Sequence, residues 1–210
     1  MNKSIEFFDE QFRHQATGTG LKLNPFEEQA LPYLKGEVLD FGCGIGNLAF
    51  AAARRGCQVT ALDASPSAID HIRRRANAEG VPVSASIADL RDYQIARDYD
   101  CVVAIGLLMF FDCPTASRVL SELQKHVRPG GYAVVNVLIE GTTYLDMFEP
   151  TNHCLFAPSE MQDRFSGWAI ERSEFSDFAA PGKTVKRFST VIARKPYAQC
   201  GALENERTHK

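Results

Sequence analysis

The stretch Val38-Leu39-Asp40-Phe41-Gly42-Cys43-Gly44-Ile45-Gly46-Asn47 decides the fold of this chain of 210 residues. An apolar, β-branched lead-in ends in three glycines spaced two apart, and small apolar residues from Leu48 to Ala53 follow. This pattern predicts a strand, a tight turn and the start of a helix. Because glycine has no Cβ, such a turn lets backbone N–H groups approach a ligand closely. The sequence therefore predicts a ligand site at this turn.

Two carboxylates accompany the turn, each at the end of a predicted strand. Asp40 lies directly before the glycines, and Asp63 closes the next apolar stretch, Gln58 to Asp63. The carboxyl ends of neighbouring parallel strands meet at one edge of a sheet, where ligands of such folds bind. A turn that only connects a strand to a helix needs neither carboxylate. We therefore expect both to contact the ligand.

Two classes of cofactor bind at glycine turns of this kind. Dinucleotide-binding folds use Gly-x-Gly-x-x-Gly, whereas here Gly46 comes one residue early and Asn47 holds the last position. A carboxylate as close to the turn as Asp40 would repel a pyrophosphate and attract an ammonium group. Asp40 and Asp63 suit the amino-acid head and the ribose hydroxyls of S-adenosylmethionine. The alternatives are an NAD-dependent oxidoreductase and a non-catalytic sensor that binds S-adenosylmethionine.

At this point the sequence resembles the class I S-adenosylmethionine-dependent methyltransferases, whose first motif is similar to Leu39 to Gly46. The resemblance continues through the Pro129-Gly130-Gly131 turn and the strand after it, and so spans residues 37–138. It implies an α/β, three-layer Rossmann-like methyltransferase fold with a mostly parallel seven-stranded sheet and a C-terminal antiparallel hairpin. It also implies S-adenosylmethionine as cofactor, S-adenosylhomocysteine as product and in-line displacement of the methyl group.

The resemblance places the cofactor against the ends of the first four strands. It implies that Asp89 receives the adenine amino group, although this residue could instead cap the following turn. No histidine cluster has the spacing of a metal site, so no metal is expected. The expected cofactor-binding residues are Asp40, Gly42, Cys43, Gly44, Asn47, Asp63, Ala64, Ala88, Asp89, Leu90 and Ile105.

The second half of the chain narrows the resemblance to small bacterial methyltransferases of the tellurite-resistance type. Three segments carry it: Phe156 to Met161, Gly167 to Ile170 and Arg187 to Lys195. This resemblance implies a small soft nucleophile as methyl acceptor, either a chalcogen oxyanion or a thiol. That family often carries a histidine in the loop of the terminal hairpin, and the predicted loop 176–183 has none.

Two residues are candidates for contact with the acceptor. Arg187 precedes the last strand and could hold an anion through its planar fork, or pair with a surface carboxylate instead. His153 lies in the long connection 139–158 and is a candidate base, against the alternative of an ordinary surface histidine. An apolar wall should complete the acceptor site, built from Met109, Phe110, Phe148 and Phe156.

Composition limits the partners and the compartment. A net charge of −3 and a pI near 6.0 predict no basic face for nucleic acid. The six cysteines fall singly, without a Cys-x-x-Cys pair, so reduced thiols and a cytoplasmic location are expected. The N-terminal residues Met1 to Glu6 lack the apolar core of a signal peptide, and the apolar run Cys101 to Phe111 is short of the ~20 residues of a membrane span.

The length suits one α/β domain with short extensions. We expect a methyltransferase domain over residues 24–195 and a polar tail over 196–210. Residues 1–23 should contain a helix that either covers the site as a lid or caps the sheet. The expected partner is a small-molecule methyl acceptor, with no nucleic acid and no membrane, and the chain should be a monomer or a homodimer.

Overall fold

The computed structural model describes residues 3–15, 22–149 and 151–197 of the chain. Its helices are α1 (Lys3–Gln15), α2 (Pro25–Ala30), α3 (Asn47–Arg54), α4 (Pro66–Glu79), α5 (Cys113–Lys125) and α6 (Glu160–Arg164). Its strands are β1 (Glu37–Phe41), β2 (Gln58–Asp63), β3 (Val83–Ile87), β4 (Tyr99–Ile105), β5 (Val127–Leu138), β6 (Ala169–Ala180) and β7 (Thr184–Arg194). Short 3₁₀ turns lie at Leu31–Tyr33, Leu108–Phe110 and Pro181–Lys183.

The seven strands form one sheet in the order β3-β2-β1-β4-β5-β7-β6. The first five strands are parallel, and β7 is antiparallel to both β5 and β6. Asp40 lies opposite Ala61 of β2 and Val103 of β4, so its strand is the centre of the parallel part. The predicted fold class, including the C-terminal hairpin, is confirmed.

Apolar side chains cover the sheet on both faces. On one face α3 and α4 bury Phe50, Ile69 and Ile72. On the other face α5 and α6 bury Leu120 and Phe165. Because neither face of the central strands meets water, those strands are nearly continuous apolar runs, as parallel strands of three-layer proteins usually are.

Side-chain caps fix where the helices begin. The Asn24 side chain accepts hydrogen bonds from the N–H groups of Phe26 and Glu27, and the Asn24 N–H donates to Glu27 Oε2 at 2.7 Å. Ser65 Oγ accepts from the N–H of Ala68 at the start of α4. These caps satisfy backbone groups that a helix terminus leaves unpaired, and both follow sequence patterns that are typical of helix starts.

The terminal hairpin is longer than the sequence indicated. The segment 176–183 was predicted as a loop, but β6 continues to Ala180 and only Pro181–Lys183 turns the chain. The pairs Ser176 with Phe188 and Asp177 with Arg187 extend the ladder through that segment. Residues 176–180 of this edge strand, Ser-Asp-Phe-Ala-Ala, show no alternation of apolar and polar residues by which the strand could be detected.

The expectation of reduced thiols is wrong for two of the six cysteines. Cys113 and Cys154 form a disulfide with their Cα atoms 4.8 Å apart, although 41 residues separate them in sequence. Cys43, Cys57 and Cys101 are free and buried. The sequence could not reveal the pair because one cysteine begins α5 and the other lies in the connection after β5, two segments that only the fold brings together.

The described helices include none that is both long enough and apolar enough to cross a membrane. Residues 16–21 of the predicted N-terminal segment 1–23 and most of the predicted tail lie outside the described residues.

Reducing the disulfide should lower the free energy of unfolding by at most about 4 kcal/mol, because a cross-link that closes a loop of 41 residues restricts the unfolded chain. Urea denaturation with and without dithiothreitol measures the change. The matched control is the double variant Cys113→Ala/Cys154→Ala, whose unfolding should not respond to the reductant. Rapid alkylation of Cys113 or Cys154 in the native, untreated protein would contradict the disulfide.

Candidate active site

A cavity of about 610 Å³ opens at the carboxyl edge of the parallel strands. The glycine turn forms its floor, and α1 lies against it from the other side. Its size is in the range of sites that enclose a cofactor or small substrate. The lining residues are Phe8, Phe12, Lys22, Asn24, Glu27, Asp40, Gly42, Cys43, Gly44, Ile45, Asn47, Leu48, Asp63, Ala64, Ser65, Asp89, Leu90, Arg91, Ile105, Gly106, Leu107, Phe110 and Phe111.

Each expected cofactor-binding residue except Ala88 lines this cavity. Ala88 packs against the core cluster that contains Leu90 and donates its N–H to the carbonyl of Asp63. The structure thus brings together residues from the ends of four strands that span positions 40 to 105. Their roles toward a cofactor remain predictions.

Glycine is required at the turn for two reasons. Gly42 and Gly44 have φ angles of +87° and +52°, a region that residues with a Cβ rarely adopt. A Cβ on Gly44 would lie 3.2 Å from Cζ of Phe12, and a Cβ on Gly42 would lie 3.0 Å from Leu107. The turn is therefore tight in itself and is also closely approached by the walls of the cavity.

Asp40 is a buried carboxyl group with only 5% of its surface exposed. Within the part of the chain that the structure describes, its Oδ2 atom has no hydrogen-bond partner. Burial, together with the negative charges of Glu27 and Asp63, raises the pKa of Asp40 to about 8. Burying a carboxylate without a partner is costly. A cationic ligand group beside Asp40 would remove that cost.

Asp63 is held in place by the backbone around it. Its Oδ2 accepts the N–H of Gly44 and its Oδ1 accepts the N–H of Ser65, both at 2.9 Å. Burial raises the pKa of Asp63 in spite of these hydrogen bonds. A carboxylate has about four acceptor positions, so two oxygens that each accept one backbone N–H can still accept from a ligand.

Residues 38–131, which include the glycine turn and the ends of the first four strands, match the family described as methyltransferase domain. The matched segment is just under half of the chain. The match confirms the predicted resemblance to methyltransferases, for which S-adenosylmethionine is the expected cofactor.

Proteins that are similar in sequence to this chain carry different names. Hemagglutinin 1 of Eikenella corrodens is 26% identical over 166 residues, which make up 76% of this chain and 55% of that protein. Magnesium-protoporphyrin O-methyltransferase of Rhodobacter capsulatus is 36% identical over 112 residues, 53% of this chain and 48% of that enzyme. The chain thus spans about half the length of these relatives.

A solved structure supports the fold of the methyltransferase domain independently. TehB from Haemophilus influenzae superposes with a TM-score of 0.72 at 20% sequence identity, covering 90% of this chain and 67% of that one. At this level of identity the likeness establishes the shared fold and nothing about the acceptor.

Asp89 lines the cavity and accepts two hydrogen bonds from the Arg91 side chain. Arg91 Nε donates to Oδ1 at 2.9 Å, and a guanidinium nitrogen donates to Oδ2 at 2.7 Å. The hydrogen bonds from the Arg91 side chain lower the pKa of Asp89. The Arg91 N–H also donates to Oδ1, so Asp89 caps the following turn as the alternative interpretation predicted, while still facing the cavity.

The two predicted acceptor contacts do not lie in the wall of the cavity. Arg187 Nε donates to Asp177 Oδ1 at 3.0 Å, and both side chains are about half exposed. His153 stacks on Phe148 with ring centroids 4.8 Å apart, and its Nδ1 lies 3.1 Å from the carbonyl oxygen of Glu149. Neither residue is among the described residues that line the cavity. Their catalytic roles stay predictions.

Several residues that line the cavity were not predicted from the sequence. Glu27 was assigned only to the cap of α2, yet it also lines the cavity, and burial raises its pKa. Lys22 lines the cavity next to Asn47, whose side-chain amide donates to the Lys22 carbonyl. Nothing in a single sequence joins Glu27 to Asp40, because the contact depends on where α2 meets the end of β1.

The buried position of Asp40 predicts a pH-dependent penalty on the fold. The folded protein holds this proton up to about pH 8, whereas the unfolded chain releases it near the ordinary value of 3.8. The folded state therefore binds more protons between these values, and stability falls as pH rises through that window. Asp40→Asn, which cannot ionise, should be more stable than wild type near pH 9, on the order of a few kcal/mol.

Urea denaturation of the ligand-free proteins at about pH 5 and pH 9 tests this expectation. The difference in free energy of unfolding between Asp40→Asn and the wild-type protein should be larger at about pH 9 than at about pH 5. Asp70→Asn is the matched control, because Asp70 is exposed on α4. An equal difference at both pH values would show that the buried Asp40 carboxyl group does not cause the pH dependence.

Proposed function

We propose that this chain transfers the methyl group of S-adenosylmethionine to a small-molecule nucleophile. One observation carries the proposal: the buried carboxyl of Asp40, with an unpartnered oxygen, beside a glycine turn that leaves its backbone open. The ammonium group of the cofactor would compensate that carboxylate. Lys22, which lines the cavity near Asn47 at the turn, would meet the cofactor's own carboxylate.

Two further carboxyl groups that line the cavity are proposed to contact the cofactor. Asp63, held by two backbone N–H groups, would accept hydrogen bonds from the ribose hydroxyls. Asp89, fixed by Arg91, would accept from the adenine amino group. A carboxylate that is already oriented loses little freedom when it binds, and this is the benefit of preorganisation.

When bound, S-adenosylmethionine supplies an electrophilic methyl group, so the chain need only bind, align and exclude water. Alignment of two reactants in a near-attack arrangement can contribute roughly 7–11 kcal/mol without an acid or a base. The proposal therefore assigns no proton transfer to His153. A general base there stays a prediction, as does an anion contact at Arg187.

Two alternatives are weaker. An NAD-dependent oxidoreductase would place a pyrophosphate at the turn, where the cavity holds the carboxyl groups of Asp40, Asp63 and Glu27. The match of residues 38–131 to the methyltransferase domain also opposes it. A non-catalytic sensor would use the same cofactor pocket without turnover. Formation of S-adenosylhomocysteine in the presence of an acceptor separates the sensor from the enzyme.

Of the two acceptors expected from the sequence, the thiol is better supported than the chalcogen oxyanion. The described residues that line the cavity include two cations, Lys22 and Arg91. Arg91 is paired with Asp89, and Lys22 is proposed for the cofactor. A monomer or homodimer and a cytoplasmic location stay predictions, and the Cys113–Cys154 disulfide removes the thiol-based ground for the latter.

Asp63→Ala should weaken binding of S-adenosylhomocysteine by at least about tenfold, because a hydrogen bond to a charged group contributes roughly 1.5–3 kcal/mol. Isothermal titration calorimetry measures the affinity. Asp92→Ala is the control, since Asp92 is an exposed carboxylate that pairs with Arg118. Equal affinities of Asp63→Ala and wild type would remove Asp63 from the cofactor site.

Gly44→Ala and Gly80→Ala form a pair that separates backbone strain from loss of the site. Both glycines have positive φ, +52° and +64°, so both variants carry a similar strain of roughly 1–2 kcal/mol. A Cβ on Gly44 would meet Phe12, whereas a Cβ on Gly80 meets no atom within 4 Å. Only Gly44→Ala should lose cofactor affinity in calorimetry. Unchanged affinity in this variant would place the cofactor away from the turn.

A further inference from the structure

We propose that the methyl acceptor is an uncharged aromatic molecule that binds against a wall of phenylalanine rings at the end of the cavity. This inference rests on the proposed function and names the substrate class of the same site. The aromatic wall consists of Phe8 and Phe12 from α1, and Phe110 and Phe111 from the segment after β4. Leu107 completes the apolar surface between them.

The aromatic wall adjoins the place where the methyl group must lie. A Cβ on Gly44 would be 3.2 Å from the Phe12 ring, and a Cβ on Gly42 would be 3.0 Å from Leu107. The wall therefore touches both glycines of the turn that is proposed to hold the methionine part of the cofactor. The sulfonium belongs to that part, so its methyl group lies at the junction of the turn and the wall.

Two aromatic contacts make the wall continuous across the cavity. Phe8 meets Phe110 edge to face with centroids 5.0 Å apart, and Phe8 lies 5.9 Å from Phe12 in a stacked arrangement. Behind the wall, Phe110 packs on Phe148, also at 5.0 Å. Such faces favour another aromatic ring through offset or edge contacts, beyond the area that they bury.

The position of α1 is fixed by hydrogen bonds rather than by apolar packing alone. Asp9 accepts from Ser65 Oγ at 2.5 Å and from Ser67 Oγ at 2.6 Å. The Ser67 N–H also donates to Asp9 at 3.1 Å, at the N-terminus of α4 where a carboxylate is favoured. Burial opposes the charge of Asp9, but these hydrogen bonds lower its pKa to about 2. Phe8 and Phe12 are therefore held over the turn.

The charges of the cavity exclude an anionic acceptor at this wall. Arg91 is occupied by Asp89, and Lys22, whose carbonyl accepts from Asn47 at the turn, is proposed for the cofactor's carboxylate. Arg187 pairs with Asp177 outside the cavity. The acidic groups Glu27, Asp40 and Asp63 line the same space. Among the described residues, an oxyanion here would lose water without gaining a partner, and the negative charges of Glu27 and Asp63 would repel it.

Methyl transfer to the acceptor needs no reactant other than the cofactor. A lone pair on the acceptor's sulfur, oxygen or nitrogen forms a bond to the methyl carbon as the carbon–sulfonium bond breaks. The electron pair of that bond returns to sulfur and gives neutral S-adenosylhomocysteine. The proton released from the acceptor passes to water.

Initial rates with a panel of acceptors test the proposal, with S-adenosylhomocysteine formation as the readout. Benzyl mercaptan, catechol and aniline are uncharged aromatic acceptors that differ in the attacking atom. 2-Mercaptoethanol is an uncharged aliphatic control, and selenite is the anionic one. At least one aromatic acceptor should exceed both controls in kcat/KM by about tenfold or more, since desolvation and ring packing favour it. A preference for selenite or for 2-mercaptoethanol, or turnover of no aromatic acceptor, would overturn the proposal.

Variants of the wall then locate the acceptor. Phe8→Ala should raise KM for the preferred aromatic acceptor by about tenfold and leave the affinity for S-adenosylhomocysteine within about twofold, while Phe8→Leu should lose less. Phe175→Ala is the matched control, because Phe175 is exposed on β6. An unchanged KM in Phe8→Ala refutes the wall. Failure of the wild-type protein to bind S-adenosylhomocysteine would instead refute the proposed function, so the two failures are distinguishable.

Discussion

The burial of Asp40 is the constraint on which the rest of the site depends. The carboxyl group stands near the end of the central strand, covered on both sides. Burial there raises its pKa to about 8, so the fold by itself accommodates a negative charge poorly. A protein selected only for stability would place an apolar side chain there. Glu27 and Asp63 increase the penalty, because each adds a negative charge near the same point. A cationic ligand would interact favourably with all three carboxyl groups. The same negative charges therefore lower the stability of the ligand-free protein and raise its affinity for the ligand.

The same arrangement explains why α1 belongs to the site rather than to the sheet. Asp9 is fixed by Ser65 and Ser67, which lie shortly after the strand that ends at Asp63. One short segment therefore positions both the helix over the cavity and the carboxylate inside it. Whether α1 moves as a lid stays a prediction. Its attachment through one carboxylate at the N-terminus of α4 makes its Phe8 and Phe12 rings part of the wall.

The parallel half of the fold and most residues that line the cavity could be predicted because local rules determine them. Glycines at fixed spacing, apolar strands and helix caps such as Asn24 and Ser65 depend on neighbours in sequence. The features that were missed all depend on segments far apart in the chain. The Cys113–Cys154 disulfide joins residues 41 apart. Pairing of Arg187 with a surface carboxylate was one predicted alternative, but its partner Asp177 lies in a strand segment that was predicted as a loop. Glu27 was understood as a cap, and its second neighbour, Asp40, lies across the fold.

The disulfide lies directly behind the aromatic wall, and this gives the acceptor site a structural foundation separate from the cofactor site. Cys113 follows Phe111 by two residues, and the N–H of Cys154 donates to the carbonyl of Met109 at 3.0 Å. The connection after β5 is thereby fixed to the segment that carries Phe110. The residues proposed to bind the cofactor, in contrast, lie at strand ends that the sheet itself orders. Because loops tolerate change better than strands, the acceptor can vary among proteins of this fold while the cofactor pocket stays the same.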